Sequence, residues 1–282
     1  MPTVINNRYE FAIFFDVKNG NPNGDPDNGN LPRRDIDTNL GIVTDACIKR
    51  KIRNYIELTH EGELGKNILI KNTKESLNNM FSHAFTEIDE DEEDPKLAAR
   101  NYMCQNYFDV RTFGAVMSTG SDPIGIVKGP VQITVAESID PIEINDLTLT
   151  RQAVTKQDEY EKNKRVEIGH KGIVPYGLYY AKGYISANEG QKTFLTEEDL
   201  ELFWEAIQNM FEHERSAARG EMNVRKLIIF KHNSKLGNIP AHKLFNTIHV
   251  EKHSDYPKSY EDYEIVVDAS SIPDSVELII KD

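Results

Sequence analysis

The chain has 282 residues, a formal net charge of -13 and two cysteines, Cys47 and Cys104, with no paired spacing. That length buries a real core in one large or two smaller domains, while the cysteine count excludes a disulfide framework or cysteine-based zinc site and points to a reducing cytoplasm. The acidity excludes wholesale coating of a polyanion, no apolar run approaches the roughly 18 residues a membrane helix needs, and Met1 to Arg8 lacks a signal-peptide pattern.

In chain order, Phe11 to Val17 reads as a buried apolar strand, and it feeds a loop rich in Gly, Asn and Pro from Asn19 to Asn30. Thr44 is the expected N-cap of the next helix. Its apolar stripe is Thr44, Ile48, Ile52, Tyr55 and Ile56, with Lys49, Arg50 and Arg53 on one flank and Lys51 on the other, all of them at the rim. Residues 59 to 110 carry short helical signals and the acidic stretch Asp89 to Asp94, which reads as a helical insertion with an exposed loop. A Gly-rich connection from Gly114 to Gly129 leads into Lys128 to Val135, whose alternation predicts a half-buried strand.

Residues 145 to 175 are polar and cationic, with Arg151, Lys156, Lys162, Lys164, Arg165, His170 and Lys171, and read as a hairpin-like projection before a strand from Tyr176 to Ile185. Thr196 to Asp199 resembles a capping box opening the clearest helix, with Leu200, Phe203, Trp204, Ile207 and Phe211 on its apolar face and Gly220 as its stop. Strands at Arg225 to Phe230, Ile248 to Lys252, Glu264 to Val267 and Val276 to Ile280 complete the chain. This order predicts an α+β sheet of the split βαβ, ferredoxin-like type.

Several constellations compete for the chemistry. The run Lys49-Arg50-Lys51-Ile52-Arg53 is either a solvated helix face or a phosphate contact; its position directly after the Gly/Asn loop, in an otherwise acidic protein, favours the phosphate. Asn19, Asn21, Asn23 and Gly24 imitate the start of a calcium loop, but Asn30 stands where a bidentate Glu is required, so the Asn side chains are expected to bond a structural turn. Asp25, Asp27, Asp35 and Asp37 are either turn formers or a metal site for phosphodiester cleavage. The eight histidines show no ligand spacing, and no GxxxxGK[ST] motif occurs.

The chain resembles a known family at several separated motifs. These are Asn7-Arg8-Tyr9-Glu10-Phe11, Phe15-Asp16-Val17 with Asn19 to Asp27, Gly41 to Asp45 with Lys49 to Asn54, Asp109 to Met117, Gly129-Pro130-Val131-Gln132, Ser138 to Ile142, Val174 to Tyr179 and Lys231 to Gly237. On these it is similar to the backbone subunit of the CRISPR surveillance complex (Cascade), subtype I-C, in the RAMP superfamily. The resemblance implies one RRM-like (ferredoxin-like) palm over residues 1–282, a helical insertion at 59–108 and a protruding β-hairpin thumb at 145–176. It implies partners as well: guide RNA (crRNA), target DNA reached through that RNA, other copies of the subunit in a helical filament, and other Cascade subunits, with no membrane.

Carried onto this sequence, the resemblance implies that Lys49, Arg50 and Arg53 grip the guide backbone with Arg34 and Thr44 nearby. The segment from Arg111 through Phe113 and Gly114 to Gly120 would supply backbone N–H contacts, with Lys128 beside it. Arg151, Lys164, Arg165 and Lys171 would act from the thumb. No cofactor, metal or catalytic residue is implied. The expected function is a non-enzymatic scaffold that holds RNA by its backbone while base pairing supplies specificity. The alternatives are a metal-dependent ribonuclease acting through Asp25, Asp27 or Asp35, and a protein that only assembles with other proteins. The acidic stretch Asp89 to Asp94 should point away from RNA.

Overall fold

Twelve consecutive residues, Tyr9–Gly20, form β1, which is buried nearly throughout. Tyr9, Phe11, Ile13, Phe15 and Val17 join one core cluster, whereas Ala12 and Phe14 join another on the opposite face. A strand covered on both faces reads as a continuous apolar run, as expected for Phe11 to Val17. The computed structural model describes residues 2–89, 91–120, 123–151 and 167–282.

After the short strands β2 (Gly24–Asp25), β3 (Leu31–Pro32) and β4 (Leu40–Val43) comes helix α1 (Asp45–Thr59). Next are α2 (Leu77–Thr86), α3 (Pro95–Asn106) and α4 (Phe108–Phe113), then the antiparallel pair β5 (Gly114–Met117) and β6 (Gly125–Lys128). These pieces share their own small core around Phe81, Met103, Val110 and Met117. Asp94, last of the acidic stretch, caps α3 by accepting from Leu97 N–H at 3.0 Å, and its exposed neighbours lie outside the groove described below.

The sheet is completed by β7 (Val131–Ile133), β8 (Ala136–Pro141), β9 (Asn145–Arg151), β10 (Glu167–Ile185), β11 (Glu221–His232) and β14 (Val276–Lys281). Its order is β14-β11-β1-β10-β8-β4, with β7 and β9 pairing to the two ends of β10. Helices α5 (Ala187–Thr193) and α6 (Glu197–Asn209) separate β10 from β11. Taking β1, α1, β8, β10, α6 and β11 gives a βαββαβ unit whose strand order matches the ferredoxin-like expectation. Opposite Phe11 in the β1–β10 register stands Gly183, where an added Cβ would sit 2.0 Å from the Phe11 ring. The glycine makes room for the aromatic.

Helices α1 and α6 cover one face of this sheet, where Phe203 and Trp204 meet Phe11 edge-on at 5.6 and 5.1 Å. The other face is covered by α7 (Ala241–Phe245) and the hairpin of β12 (Ile248–Lys252) and β13 (Tyr263–Val267), whose Phe245, Tyr263 and Ile265 pack with Phe14, Leu178 and Phe230 of the sheet. An RRM stacks bases on the open face of its sheet. Here both faces of the sheet are covered, so only its ends and edges are open.

Two boundaries differ from the sequence expectation. The segment Lys128 to Val135 is divided between β6 and β7, because Pro130 has no N–H for a ladder and Gly129 packs directly on the Phe113 backbone. The helix opened by the Thr196–Asp199 capping box ends at Asn209, eleven residues before Gly220, and the intervening segment turns back over α1.

Candidate nucleic-acid interface

The Asn-rich loop is built by its own side chains. Asn21 Nδ2 donates to Asn30 O at 2.8 Å, and Asn23 Oδ1 accepts from both the N–H and the hydroxyl of Thr44 at 3.0 Å. Thr44 Oγ1 in turn accepts from Cys47 N–H at 3.2 Å, so the loop fixes the first turn of α1. Asn19 and Asn30 adopt left-handed backbone with φ of 49° and 59°, which Asn tolerates better than most residues. The structural-turn reading of this loop is the one observed.

The candidate aspartates also form turns. Asp25 accepts from Asp27 N–H and pairs with Arg33 at 3.3 Å. Asp35 Oδ1 accepts from the N–H of Asp37 and from both the N–H and hydroxyl of Thr38, contacts that hold its carboxyl below the usual range. Both cysteines are buried and free, and burial pushes the Cys104 thiol up to about 11.

Where β1 leaves the sheet and β11 enters it, a groove of about 1050 Å³ opens between the start of α1, residues 70–72 and the segment 214–219. Six cations line it. Lys49 pairs with Asp45 at 3.0 Å, Lys71 with Glu57 at 3.0 Å and Arg215 with Glu212 at 2.7 Å. Arg53 gives its Nε–H to the buried Asp109 at 2.8 Å, which also accepts from the N–H groups of Leu69 and Ile70. Arg50 and Arg219 have no ion pair among the described residues. Asp45 and Glu214 line it as well; with the ion-pair partners Glu57, Asp109, Glu212 and Lys51 included, seven cations stand against five carboxylates, an excess of two positive charges in a protein of net charge -13.

The sequence-predicted residues separate here. Thr44, Lys49, Arg50 and Arg53 come together in the groove. Phe113 stands behind them, buried, with the Arg53 guanidinium 5.0 Å and the Lys49 ammonium 5.8 Å from its ring centroid. It orients two cations and does not itself reach the groove.

Arg111 is a correction. It is buried, and all its donors have partners: Nε and Nη2 grip Asp199 at 2.8 Å each, Nη1 reaches Cys104 O at 2.7 Å and Gln105 O at 3.3 Å, and Nη2 reaches Gly65 O at 2.8 Å. No N–H remains for RNA. Burial alone would raise the Asp199 carboxyl, but Arg111 and Lys66 outweigh it and hold it at about 2. Of the Arg111 to Gly120 segment expected to offer backbone N–H groups, residues 111–113 lie in α4 and 114–117 pair with β6, while none of the segment lines the groove. Gly114, with φ of 79°, lies so close to the Gly129 backbone that a Cβ would meet its N at 2.4 Å, so its role is packing.

Lys128 and Arg34 do not line the groove; Lys128 lies near Glu189 at 3.8 Å and Arg34 bridges to Gly41 through its backbone. Lys171, on β10, donates its Nζ to Ala217 O and so touches the groove wall. Arg151 ends β9, while Lys164 and Arg165 lie outside the described residues. Lys51, expected at the rim, is buried against Glu214 at 2.5 Å.

Sequence reasoning missed the 210–220 wall entirely. Placing a helix up to Gly220 made Glu214, Arg215 and Arg219 ordinary surface positions; the pairing of buried Lys51 with Glu214 brings them to α1. Burial raises the Glu214 carboxyl, and Lys51, Asn54 and Arg219 together pull it below the usual range.

The fold and groove define an α+β protein with a ferredoxin-like sheet and a cationic cleft at one sheet end. The profile of the family described as CRISPR-associated protein Cas7 matches residues 7–268, and the chain belongs to that family. A relative from Haloferax volcanii, "CRISPR-associated protein Cas7", is 25% identical over 298 residues, which cover 97% of this chain and 84% of the relative. Among solved structures, the chain is similar to a component of "CRISPR RNA-guided surveillance complex, pre-nicking", with a TM-score of 0.49, 11% identity and coverage of 79% of this chain and 78% of the other. It is also similar to a chain of the "Type III-B Cmr-beta bound to cognate target RNA", with a TM-score of 0.45, 13% identity and coverage of 79% and 61%. No described helix is long and apolar enough to cross a membrane.

Proposed function

We propose that this chain is a non-enzymatic backbone subunit of a subtype I-C CRISPR surveillance complex, which polymerises along guide RNA and presents its bases to target DNA. The observation that carries the reading is the groove: an excess of positive charge, built from lysine and arginine side chains, in an acidic protein. Lys49, Arg50 and Arg53, placed by the Thr44 cap, hold the phosphates. Such contacts are indifferent to sequence, as a scaffold for arbitrary guides requires.

In this reading residues 145–176 are a thumb that closes over the RNA, with Arg151, Lys164, Arg165 and Lys171 as its cations, and residues 59–108 are a helical insertion turned towards protein partners. Both belong to one domain. Arg111, Phe113 and Gly114 act on the RNA only by holding the groove in shape. Asp25 and Asp35 are engaged in turns, so no observation favours cleavage through them.

The test is nuclease footprinting of a long single-stranded RNA incubated with the purified protein, with and without Mg²⁺. Intact RNA protected at a regular interval is the expected result. Fragments formed only with Mg²⁺ would overturn the non-enzymatic reading.

A further inference from the structure

We infer that Arg219 is a phosphate-contacting residue, so that the RNA backbone is gripped from two elements at once: Arg50 on α1 and Arg219 on the 210–220 segment. This rests on the RNA-binding reading above and extends it to a wall that no sequence motif marks.

Four arginines have a buried Nε with no hydrogen-bond acceptor among the described residues: Arg33, Arg100, Arg219 and Arg225. Three of them still engage their guanidinium elsewhere, Arg33 with Asp25 at 3.3 Å, Arg225 with Asp16 at 2.8 Å and Arg100 with Ile124 O at 3.2 Å. Arg219 alone makes no side-chain hydrogen bond or ion pair among the described residues. A guanidinium without an acceptor calls for an explanation, and a bound water, ion or ligand is one. Arg219 lines the groove, where its terminal nitrogens meet a phosphodiester oxygen.

The presenting segment is tethered at several points. Arg219 N–H donates to Ser216 O at 2.9 Å and closes a tight turn. Asn21 N–H donates to Ala218 O at 2.6 Å, anchoring that turn to the Asn loop. Lys51 holds Glu214 from inside α1, and Lys171 reaches Ala217 O from β10. The backbone that presents the guanidinium is thus fixed before a ligand arrives, so only the side chain itself is ordered on binding. Glu214, the nearby carboxylate, is already ion-paired with Lys51 and accepts a hydrogen bond from Asn54.

The experiment measures binding of the full chain to single-stranded oligouridine across a salt series, comparing wild type with Arg219→Gln, Arg219→Lys and Arg215→Gln. We expect Arg219→Gln to weaken binding roughly tenfold, as loss of a charge-assisted hydrogen bond does, and to lower the salt slope by about 0.7, the single-strand increment per phosphate contact. Arg219→Lys keeps the slope and loses part of the affinity, because a point charge replaces a fork. Arg215→Gln, whose wild-type side chain is bonded to Glu212, changes less than Arg219→Gln. Wild-type affinity and slope in Arg219→Gln would overturn the inference and leave the RNA-binding reading standing. Failure of the wild type to bind would overturn both. Should Arg219→Gln prove unfolded by its thermal transition, Arg219→Lys against wild type decides: equal affinity refutes the contact.

Discussion

Two regions of this protein were expected at RNA and end differently. The start of α1 and the Phe108–Gly114 segment each carry an arginine that the sequence resemblance places there. In the first, Arg50 stays exposed without a carboxylate partner among the described residues, and the groove retains an excess of two charges. In the second, Arg111 is drawn inside by Asp199, Cys104 O, Gln105 O and Gly65 O until nothing is left to donate. A cation's availability to a ligand is decided by the acceptors its own fold brings to it.

The sharpest way to break this comparison is Arg111→Ala. It strands the buried Asp199 and three backbone carbonyls, and we expect a loss of about 3–5 kcal/mol in stability by denaturant unfolding. If Arg111→Ala folds with wild-type stability and instead loses RNA affinity, the two regions are not different in kind.

Next in size is pH. The Asp199 carboxyl lies near 2 when folded, against an ordinary value of 3.8. A depressed folded pKa stabilises the native state above the unfolded value, and that contribution fades as pH falls from about 4 through about 2. The shift corresponds to about 2 kcal/mol of pH-dependent stability, which Lys66→Met should reduce and Arg111→Ala should largely abolish. Parallel unfolding curves against pH for wild type and Arg111→Ala would contradict this.

Lys49→Ala combined with Arg53→Ala acts on the other region. It should weaken RNA binding across all sequences by roughly tenfold to a hundredfold and lower the salt slope by about 1.4, or 0.7 per lost contact. Unchanged binding would remove α1 from the site. The smallest effect belongs to Lys128→Ala, which lies off the groove; its RNA affinity should stay within about twofold of wild type, in line with exposed substitutions away from a site. A loss as large as that of the α1 pair would mean that the groove is drawn in the wrong place.

Much of the palm was legible in the sequence because its signals are local. The apolar run of β1, the Thr44 cap, the stripe of Ile48, Ile52, Tyr55 and Ile56, and the Thr196–Asp199 capping box all appear where periodicity and capping chemistry place them. The Asn loop was legible for the same reason: its bonds run between residues close in the chain or held by the β1–α1 connection. Lys49, Arg50 and Arg53 followed from their position on one helix flank.

The sequence could not reveal which cations stay free, because that depends on partners far away in the chain. Lys51 meets Glu214 across 163 positions and Arg111 meets Asp199 across 88, and nothing in the local pattern of either residue announces the encounter. For the same reason the closed second face of the sheet, covered by β12, β13 and α7, stayed hidden. Local chemistry, then, determined the elements, their caps and the concentration of positive charge near α1. Tertiary structure alone decided that Lys51 and Arg111 are interior, that Arg219 joins Arg50 at the groove, and how much charge is left there, since burial and ion pairing are properties of contacts that only the folded chain makes.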